Sequence, residues 1–355
     1  MPISPSEAAG VLRKISKTPI SVMEVCGTHT VSVFRSGIRS ILPPTIRLVS
    51  GPGCPVCVTG QGEIEAALSL MDRGAVVTAY GDMFRVPCEG GSLSLKRSRG
   101  FDARVVTGAM EVLSLAESLP EREIVFLAAG FETTAPATAA LVLEAAGRGV
   151  KNLSVLSFHK RTPPAVELLA SDPGLGLSGF LLPGHVSVIL GHGPFRFLPE
   201  KYRLPGVIAG FEADQILLGL AEIVRQHESG APALASVYGR AVKKEGNLKA
   251  LGLMEKVFET RDTAWRGIGV IPASGLALRR EYGAFDAEKK FGLTLRPGTP
   301  PPLCRCGEVL MGRITPPECP LFRTACTPGD PVGPCMVSSE GTCGAYFRFH
   351  REEGK

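Results

Sequence analysis

The sequence predicts an α/β protein in which two similar Rossmann-like parallel-sheet domains face each other across a cleft, followed by a C-terminal helical and cysteine-rich iron-sulfur domain. Three observations lead there. Short apolar runs alternate with segments of helical periodicity from Val22 to Glu212, the same order of elements restarts near Glu121, and beyond Asp214 the alternation stops. Strand-helix alternation implies a mainly parallel sheet with right-handed crossovers. At 355 residues the chain exceeds what one core usually serves, so several domains are expected. The boundaries fall at residues 1–119, 120–215 and 216–355.

In the first part, Val22-Met23-Glu24-Val25 reads as a short buried strand ending in Cys26-Gly27-Thr28-His29-Thr30. Val31, Phe34, Ile38 and Ile41 then recur at helical spacing, which predicts a helix over about 31–42. The apolar run Ile46 to Val49 enters Gly51-Pro52-Gly53-Cys54-Pro55-Val56-Cys57, and a helix begins near Gly62 with Ile64, Ala67, Leu68 and Met71 on one face. Ala75 to Ala79 and Ala103 to Val106 are further strands, the latter followed by a helix over about 108–119.

The C-x-x-C turn is dense in Pro, which fixes φ, and Gly, which opens otherwise forbidden backbone space. Thiols near a helix N-terminus often have lowered pKa values, and the thiolate is the form that binds metal or exchanges with disulfides. Standing alone, the motif fits a redox-active or a merely buried pair equally well. Cys26 and His29 occupy a strand-to-helix loop, where doubly wound folds place their chemistry. If the strands before Cys26 and Cys54 are parallel neighbours, three thiols and an imidazole open on one edge. A single histidine in such a loop is more often a hydrogen-bonding partner than a ligand, and only the company of the thiols makes His29 a candidate.

The second part repeats the order. Ile124 to Ala128 is a strand ending in Gly130-Phe131-Glu132-Thr133-Thr134-Ala135-Pro136, followed by an Ala-rich helix through about Ala146. Leu153 to Phe158, Gly179 to Leu182 and Val207 to Ala209 are strands, the last ending in Gly210-Phe211-Glu212. Thr133 and Thr134 suit helix N-caps before ligand contacts. Glu132 either orients His29 or a substrate, or forms a surface ion pair, and His185 and His192 suit structural roles. No G-x-G-x-x-G follows the first strand, and no P-loop or G-x-S-x-G elbow is present, which argues against these nucleotide and serine-hydrolase sites.

After Asp214, Ile216, Leu220, Ile223, Val224 and His227 mark one helical face, and Leu248, Leu251, Met254, Val257 and Phe258 another. Residues 296–302 read as a stiff extended arm. Cys304, Cys306, Cys319, Cys326, Cys335 and Cys343 then place six of the ten cysteines within about forty residues. The segment is rich in Gly and Pro, so apolar packing alone would hardly order it and a cross-link is expected. Paired C-x-x-C knuckles of the zinc kind are missing there, and four widely spaced thiolates on an iron-sulfur cluster fit better. Spacing alone leaves open which four are ligands.

A net charge of +5 with no basic run gives little support for nucleic acid binding. No stretch approaches a membrane span, and residues 1–10 carry no apolar signal core. The expected location is therefore the cytoplasm, where ten cysteines point to metal or redox chemistry.

Four stretches carry a resemblance: Met23-Glu24-Val25-Cys26-Gly27-Thr28-His29-Thr30, residues 51–59, residues 130–136, and Cys335-Met336-Val337-Ser338-Ser339-Glu340-Gly341-Thr342-Cys343. Together with residues 205–212 and Trp265-Arg266-Gly267, they resemble the signature motifs of the HypD family of hydrogenase maturation proteins, in order and over nearly the whole chain. The resemblance implies an assembly scaffold rather than a conventional turnover enzyme. With the small partner HypC it would build the Fe(CN)2CO group of [NiFe]-hydrogenases, taking cyanide from HypE acting with HypF and passing the group to the hydrogenase large subunit. It further implies that Cys26, Cys54 and Cys57 are the iron-site thiols, on Fe(II) carrying CN and CO in transit, with His29 beside them. A [4Fe-4S] cluster would sit on Cys304, Cys319, Cys326 and Cys343, with Cys306 and Cys335 as a redox pair beside it, although a register using Cys306 in place of Cys304 also fits. Gly60 departs from the family's usual Pro, and Cys88 falls in no motif.

Two other classes compete. A thiol-disulfide reductase resembling ferredoxin-thioredoxin reductase would need only Cys54, Cys57 and the cluster. A zinc-stabilised scaffold would need no redox-active thiol.

Overall fold

A computed structural model describes residues 5–296, 298–299 and 301–350 of the chain. Residues 1–4 of the stretch searched for a signal, and Pro297 and Pro300 of the expected arm, lie outside the described residues. The described residues form eleven strands: β1 (Ile20–Glu24), β2 (Ile46–Ser50), β3 (Val76–Ala79), β4 (Ala103–Val105), β5 (Ile124–Gly130), β6 (Leu153–His159), β7 (Gly179–Pro183), β8 (Gly206–Ala209), β9 (Leu234–Ser236), β10 (Phe258–Trp265) and β11 (Gly269–Leu278). Every strand read from the alternating pattern between Met23 and Ala209 is present.

They form a five-stranded sheet in the order β2-β1-β7-β8-β9 and a four-stranded sheet in the order β4-β3-β5-β6, with all pairings parallel. The expected division at residue 119 does not separate these sheets. The chain leaves the first sheet after β2, builds the whole of the second, and returns to lay β7 on the open edge of β1, pairing Val22 with Gly179. The reason lies in burial. Strands covered on both faces, such as β5 and β6 with every residue buried, carry continuous apolar runs that specify a strand but not its neighbour.

Two other expectations change in detail. The helix foreseen over 31–42 starts earlier and breaks: Gly27–Arg35 is followed by Ile38–Ile41, separated by Gly37 at φ +65°. Its first turn therefore contains Gly27, Thr28, His29 and Thr30. The C-terminal third is not helical throughout. Helices Ala213–Glu228 and Leu248–Val257 are present, but β9 extends the first sheet and β10 pairs antiparallel with β11. Phe258 opens β10 instead of ending the helix. The hairpin reverses through Arg266-Gly267-Ile268, with Gly267 at φ +73° in the left-handed region that glycine tolerates. Ser157 Oγ donates to Leu276 O at 2.7 Å, fixing the hairpin against β6.

Helix Ala213–Glu228 buries Ile216, Leu220, Ile223 and Val224 in one core with Leu12 and Val22, so its apolar stripe is a packing face as its spacing indicates. The cysteine-rich segment folds as short helices, Cys306–Leu310, Pro334–Val337 and Thr342–Phe349, joined by turns. It turns back onto the first sheet's loop edge. Pro334–Val337 packs on the four-residue helix Pro55–Val58, and Thr342–Phe349 packs on Gly27–Arg35, where the Phe34 and Tyr346 rings meet edge to face at 4.6 Å.

Candidate functional site

β1 and β2 are parallel neighbours with Glu24 opposite Ser50, so the loops after them open on the same edge. The loops touch through backbone. Gly27 N–H donates to Gly53 O at 3.0 Å, and a Cβ on Gly53 would stand 2.3 Å from Cys26 Cα, a contact only glycine permits. Cys54 occupies the N-cap position of Pro55–Val58 and its Sγ accepts from Cys57 N–H at 3.2 Å. Cys54 and Cys57 are joined as a disulfide with Cα atoms 5.2 Å apart. In this redox state neither sulfur is a thiolate, so of the three expected iron-site thiols only Cys26 is free.

Cys26 is half-buried at the N-cap position of Gly27–Arg35. Desolvation, reinforced by the Glu340 carboxylate, pushes its thiol up to about 12, although the His29 and Thr28 backbone N–H groups favour the thiolate. A helix N-terminus contributes about 1 kcal/mol to an anion, and here burial outweighs it. His29 does not turn towards a sulfur. It is fully buried and its Nε2 bonds Gly210 O at 2.9 Å. A carbonyl only accepts, so Nε2 carries the proton and Nδ1 is a buried lone pair with no hydrogen-bond partner among the described residues. Burial holds the imidazole down to about 4, which keeps it neutral. Its ring lies 4.6 Å from that of Phe211, which His185 approaches from 4.1 Å.

The second loop is built differently from the sequence expectation. Glu132 is buried and accepts from Thr162 N–H and Oγ1, both at 2.8 Å, so it neither orients His29 nor meets a surface cation. Thr134 stands at the N-cap position of helix Ala135–Gly147 without a side-chain cap bond, its hydroxyl donating to Phe131 O at 3.3 Å. Thr133 is exposed. Both threonines line a cleft of about 350 Å3 together with Pro55, Val56, Tyr80 and Glu340. The cleft therefore joins the C-x-x-C turn, the loop after β5 and the C-terminal segment.

That segment is fastened at two points. Asp82 accepts from Ser338 Oγ at 3.0 Å and from Ser339 N–H at 3.3 Å. Glu340 accepts from Thr28 Oγ1 at 2.6 Å, and its backbone oxygen would stand 2.5 Å from a Cβ on Gly27.

Five of the six C-terminal thiols, Cys304, Cys306, Cys326, Cys335 and Cys343, draw together. The Cys306 thiol donates to the Cys304 sulfur, which brings Cys304 down to about 6, while Cys306 is pushed well up. Cys335 is paired in the same way with Cys343 and is also pushed up, first by that bond and then by burial. Cys326 Sγ accepts from Val332 N–H at 3.4 Å, and Gly333 leaves room beside Cys304 Sγ that a Cβ would fill at 3.0 Å. Among the described residues no three His, Cys, Asp or Glu side chains close around one ion. A cubane spreads its thiolates over separate iron corners, so this arrangement of soft donors, backbone N–H support and a glycine-lined gap fits an iron-sulfur cluster. Cys88 lies outside the group, half-buried, its thiol donating to Gly91 O at 3.3 Å.

Sequence reading missed four charged groups that shape this edge. Glu24, fully buried below Cys26, accepts from Thr30 and Ser50 hydroxyls at 2.7 and 2.6 Å, and burial raises it to about 7. Lys160 donates to Glu63 at 2.5 Å inside the protein, and Glu63 also accepts Gly60 N–H at 2.6 Å. Arg266 N–H donates to Val58 O at 2.9 Å. Glu340 is the fourth. For Glu24 and Lys160 a signal existed: a charge inside or just after an apolar run has to be paired when buried.

Residues 6–350 match the family HypD, described as the hydrogenase formation hypA family. The chain is 43% identical to the hydrogenase maturation factor HypD of Cupriavidus necator over 338 residues, which span 93% of this chain and 89% of the relative. It is 42% identical to that of Azotobacter vinelandii over 344 residues, 95% and 91% of the two chains. With that of Rhodobacter capsulatus it shares 39% over 362 residues, 97% and 96%. No helix among the described residues is long and apolar enough to cross a membrane. Agreement at this level over nearly the whole chain makes it a member of the HypD family of hydrogenase maturation factors.

Proposed function

We propose that this hydrogenase maturation factor is the cytoplasmic scaffold on which, together with HypC, the Fe(CN)2CO group is assembled from iron, with cyanide arriving from HypE and HypF and the finished group leaving for the hydrogenase large subunit. One observation carries the reading: the Cys26 loop, the C-x-x-C turn and the cysteine-rich segment meet at one cleft edge, although the last lies hundreds of residues from the other two in the chain. Low-spin Fe(II) with cyanide and CO is a soft centre suited to thiolate ligands. Cys26 is the free thiol there, and reduction of Cys54–Cys57 adds two more.

Cys304, Cys319, Cys326 and Cys343 would hold a [4Fe-4S] cluster, which supplies single electrons. Cys306 and Cys335 form the dithiol beside it. The helix carrying Cys335 lies against the helix carrying Cys57. Thiol-disulfide exchange through a mixed disulfide moves two electrons and two protons from that dithiol to Cys54–Cys57, leaving Cys306–Cys335 oxidised. His29, neutral and bonded to Gly210 O, fixes the first turn behind Cys26 and brings no charge to the iron.

The test is to supply the native chain, or Cys26→Ala, Cys57→Ala and Cys343→Ala variants, to cells lacking their own copy, and to assay the processed hydrogenase large subunit. The reading expects maturation with the native chain and none with the variants. Full maturation with Cys26→Ala would defeat it and favour a reductase that needs only the C-x-x-C pair.

A further inference from the structure

Arg266 is a buried cation without a carboxylate. Only 5% of it is exposed, and among the described residues no aspartate or glutamate lies within ion-pair distance of it. Its two terminal nitrogens share one acceptor, Pro87 O, at 3.3 Å each, and Nε has no partner. Two acidic side chains of the helix after the C-x-x-C turn are engaged elsewhere: Glu63 with Lys160 and Gly60 N–H, Glu65 with Gln61. Five N–H donors and a full charge taken out of water demand an anion, because leaving them unpaired costs several kcal/mol.

The surroundings of Arg266 name that anion. The turn carrying it is pressed against the cysteine-rich segment: a Cβ on Gly267 would stand 2.5 Å from Gly307 Cα and 3.9 Å from the Cys306 carbonyl carbon. Conversely, a Cβ on Gly307 would meet Gly267 O at 2.1 Å. Two glycines in backbone contact thus seat the turn carrying Arg266 directly on the first turn of the helix that begins at Cys306, two residues after Cys304. On its other side, Arg266 N–H holds Val58 O, directly after Cys57. The Arg266 turn thus touches both the residue after Cys57 and the helix that begins at Cys306.

We propose that Arg266 is the built-in counter-cation of the cysteine-rich iron-sulfur centre, a positioning residue that sets its reduction potential and orients it towards the C-x-x-C turn. The inference rests on the reading of Cys304, Cys319, Cys326 and Cys343 as cluster ligands. A cluster on four thiolates gains negative charge on reduction, so a buried cation beside it stabilises the reduced form and raises the potential.

The test uses the full chain purified anaerobically as native protein, Arg266→Lys and Arg266→Gln, with iron and acid-labile sulfide analysis and a redox titration followed by paramagnetic resonance. Arg266→Gln is expected to keep iron and sulfide while its reduction equilibrium shifts at least about tenfold towards the oxidised form, about 59 mV for a one-electron couple. Arg266→Lys is expected to stay near the native value. Cluster retained by Arg266→Lys and lost by Arg266→Gln also supports the assignment, since charge then decides assembly. An unmoved potential in a fully loaded Arg266→Gln overturns it, as does loss of cluster from both variants, which would assign Arg266 to shape alone. Native protein devoid of iron and sulfide would defeat the cluster reading itself, and the role of Arg266 with it.

Discussion

Thr28 Oγ1 donates a 2.6 Å hydrogen bond to Glu340 Oε1, joining two residues 312 positions apart directly beside Cys26. The bond closes the C-terminal segment onto the first loop of the chain and brings a carboxylate next to the free thiol. Burial and that carboxylate together keep Cys26 protonated at neutral pH.

Alkylation of Cys26 should therefore be slow in the native protein at pH 8 and faster in Glu340→Gln. Loss of one pKa unit of opposition multiplies the thiolate fraction about tenfold, which sets the upper scale of the effect. Mass-spectrometric rates for the Cys26 peptide measure it, and equal rates in the two proteins would show that Glu340 exerts no influence on the thiol.

Gly53→Ala should be among the most damaging single-atom-group additions in the molecule. The new methyl would meet Cys26 Cα and N at 2.3 Å, and both are backbone with no rotamer to yield. A loss of about 3 kcal/mol or more in urea unfolding is expected. Gly252→Ala, whose Cβ meets nothing within 4 Å in a helix, is the control and should not be destabilising.

Lys160 and Glu63 are 1% and 3% exposed and tie β6 to the helix that follows the C-x-x-C turn, with Thr263 Oγ1 and Ala264 O of β10 also accepting from Lys160. Lys160→Met leaves Glu63 buried without its cation and should cost about 3–5 kcal/mol. Lys160→Met with Glu63→Gln should cost less than the sum of the single changes, and strict additivity in a double-mutant cycle would deny the coupling.

His159 is buried, with Nε2 bonded to Thr138 Oγ1 at 2.9 Å, and burial lowers its pKa from 6.5 to about 4. A lowered folded-state pKa contributes stability that is complete above the unfolded value of 6.5 and lost as pH falls towards 4. The loss over that window is about 3 kcal/mol from this residue. A His159→Gln protein, measured by urea unfolding at pH 7.5 and pH 4.5, should show a correspondingly flatter pH dependence.

Much of this molecule is legible in its residues, and the part that is not has a common cause. Strands β1 to β8 announce themselves as short apolar runs before helical patterns, and the cysteines of both ends stand out by spacing. Partnership does not show locally: nothing in Ile20–Glu24 distinguishes Gly179–Pro183 as its second neighbour, because strands buried on both faces carry no register signal. The hairpin of β10 and β11 is hidden by the charged residues Glu259, Arg261 and Asp262, which interrupt an apolar pattern: Glu259 is exposed, Asp262 accepts from Ala273 N–H across the hairpin, and Arg261 pairs with Glu288. At the site, Cys26, Cys54 and Cys57 are readable as a group, whereas Arg266 enters it through the contact of Gly267 with Gly307, and Glu340 through Thr28 and Gly27.

The central claim is that iron carrying cyanide and CO is built on Cys26 beside the C-x-x-C turn. Infrared spectroscopy of the anaerobically purified complex with HypC, co-produced with the cyanide-delivering partners, tests it most directly by comparing the native chain with Cys26→Ala. Cyanide and CO stretching bands in the native complex that vanish in the variant are the predicted result. An iron-sulfur signal without those bands in the native complex, or bands that persist unchanged in Cys26→Ala, would contradict it.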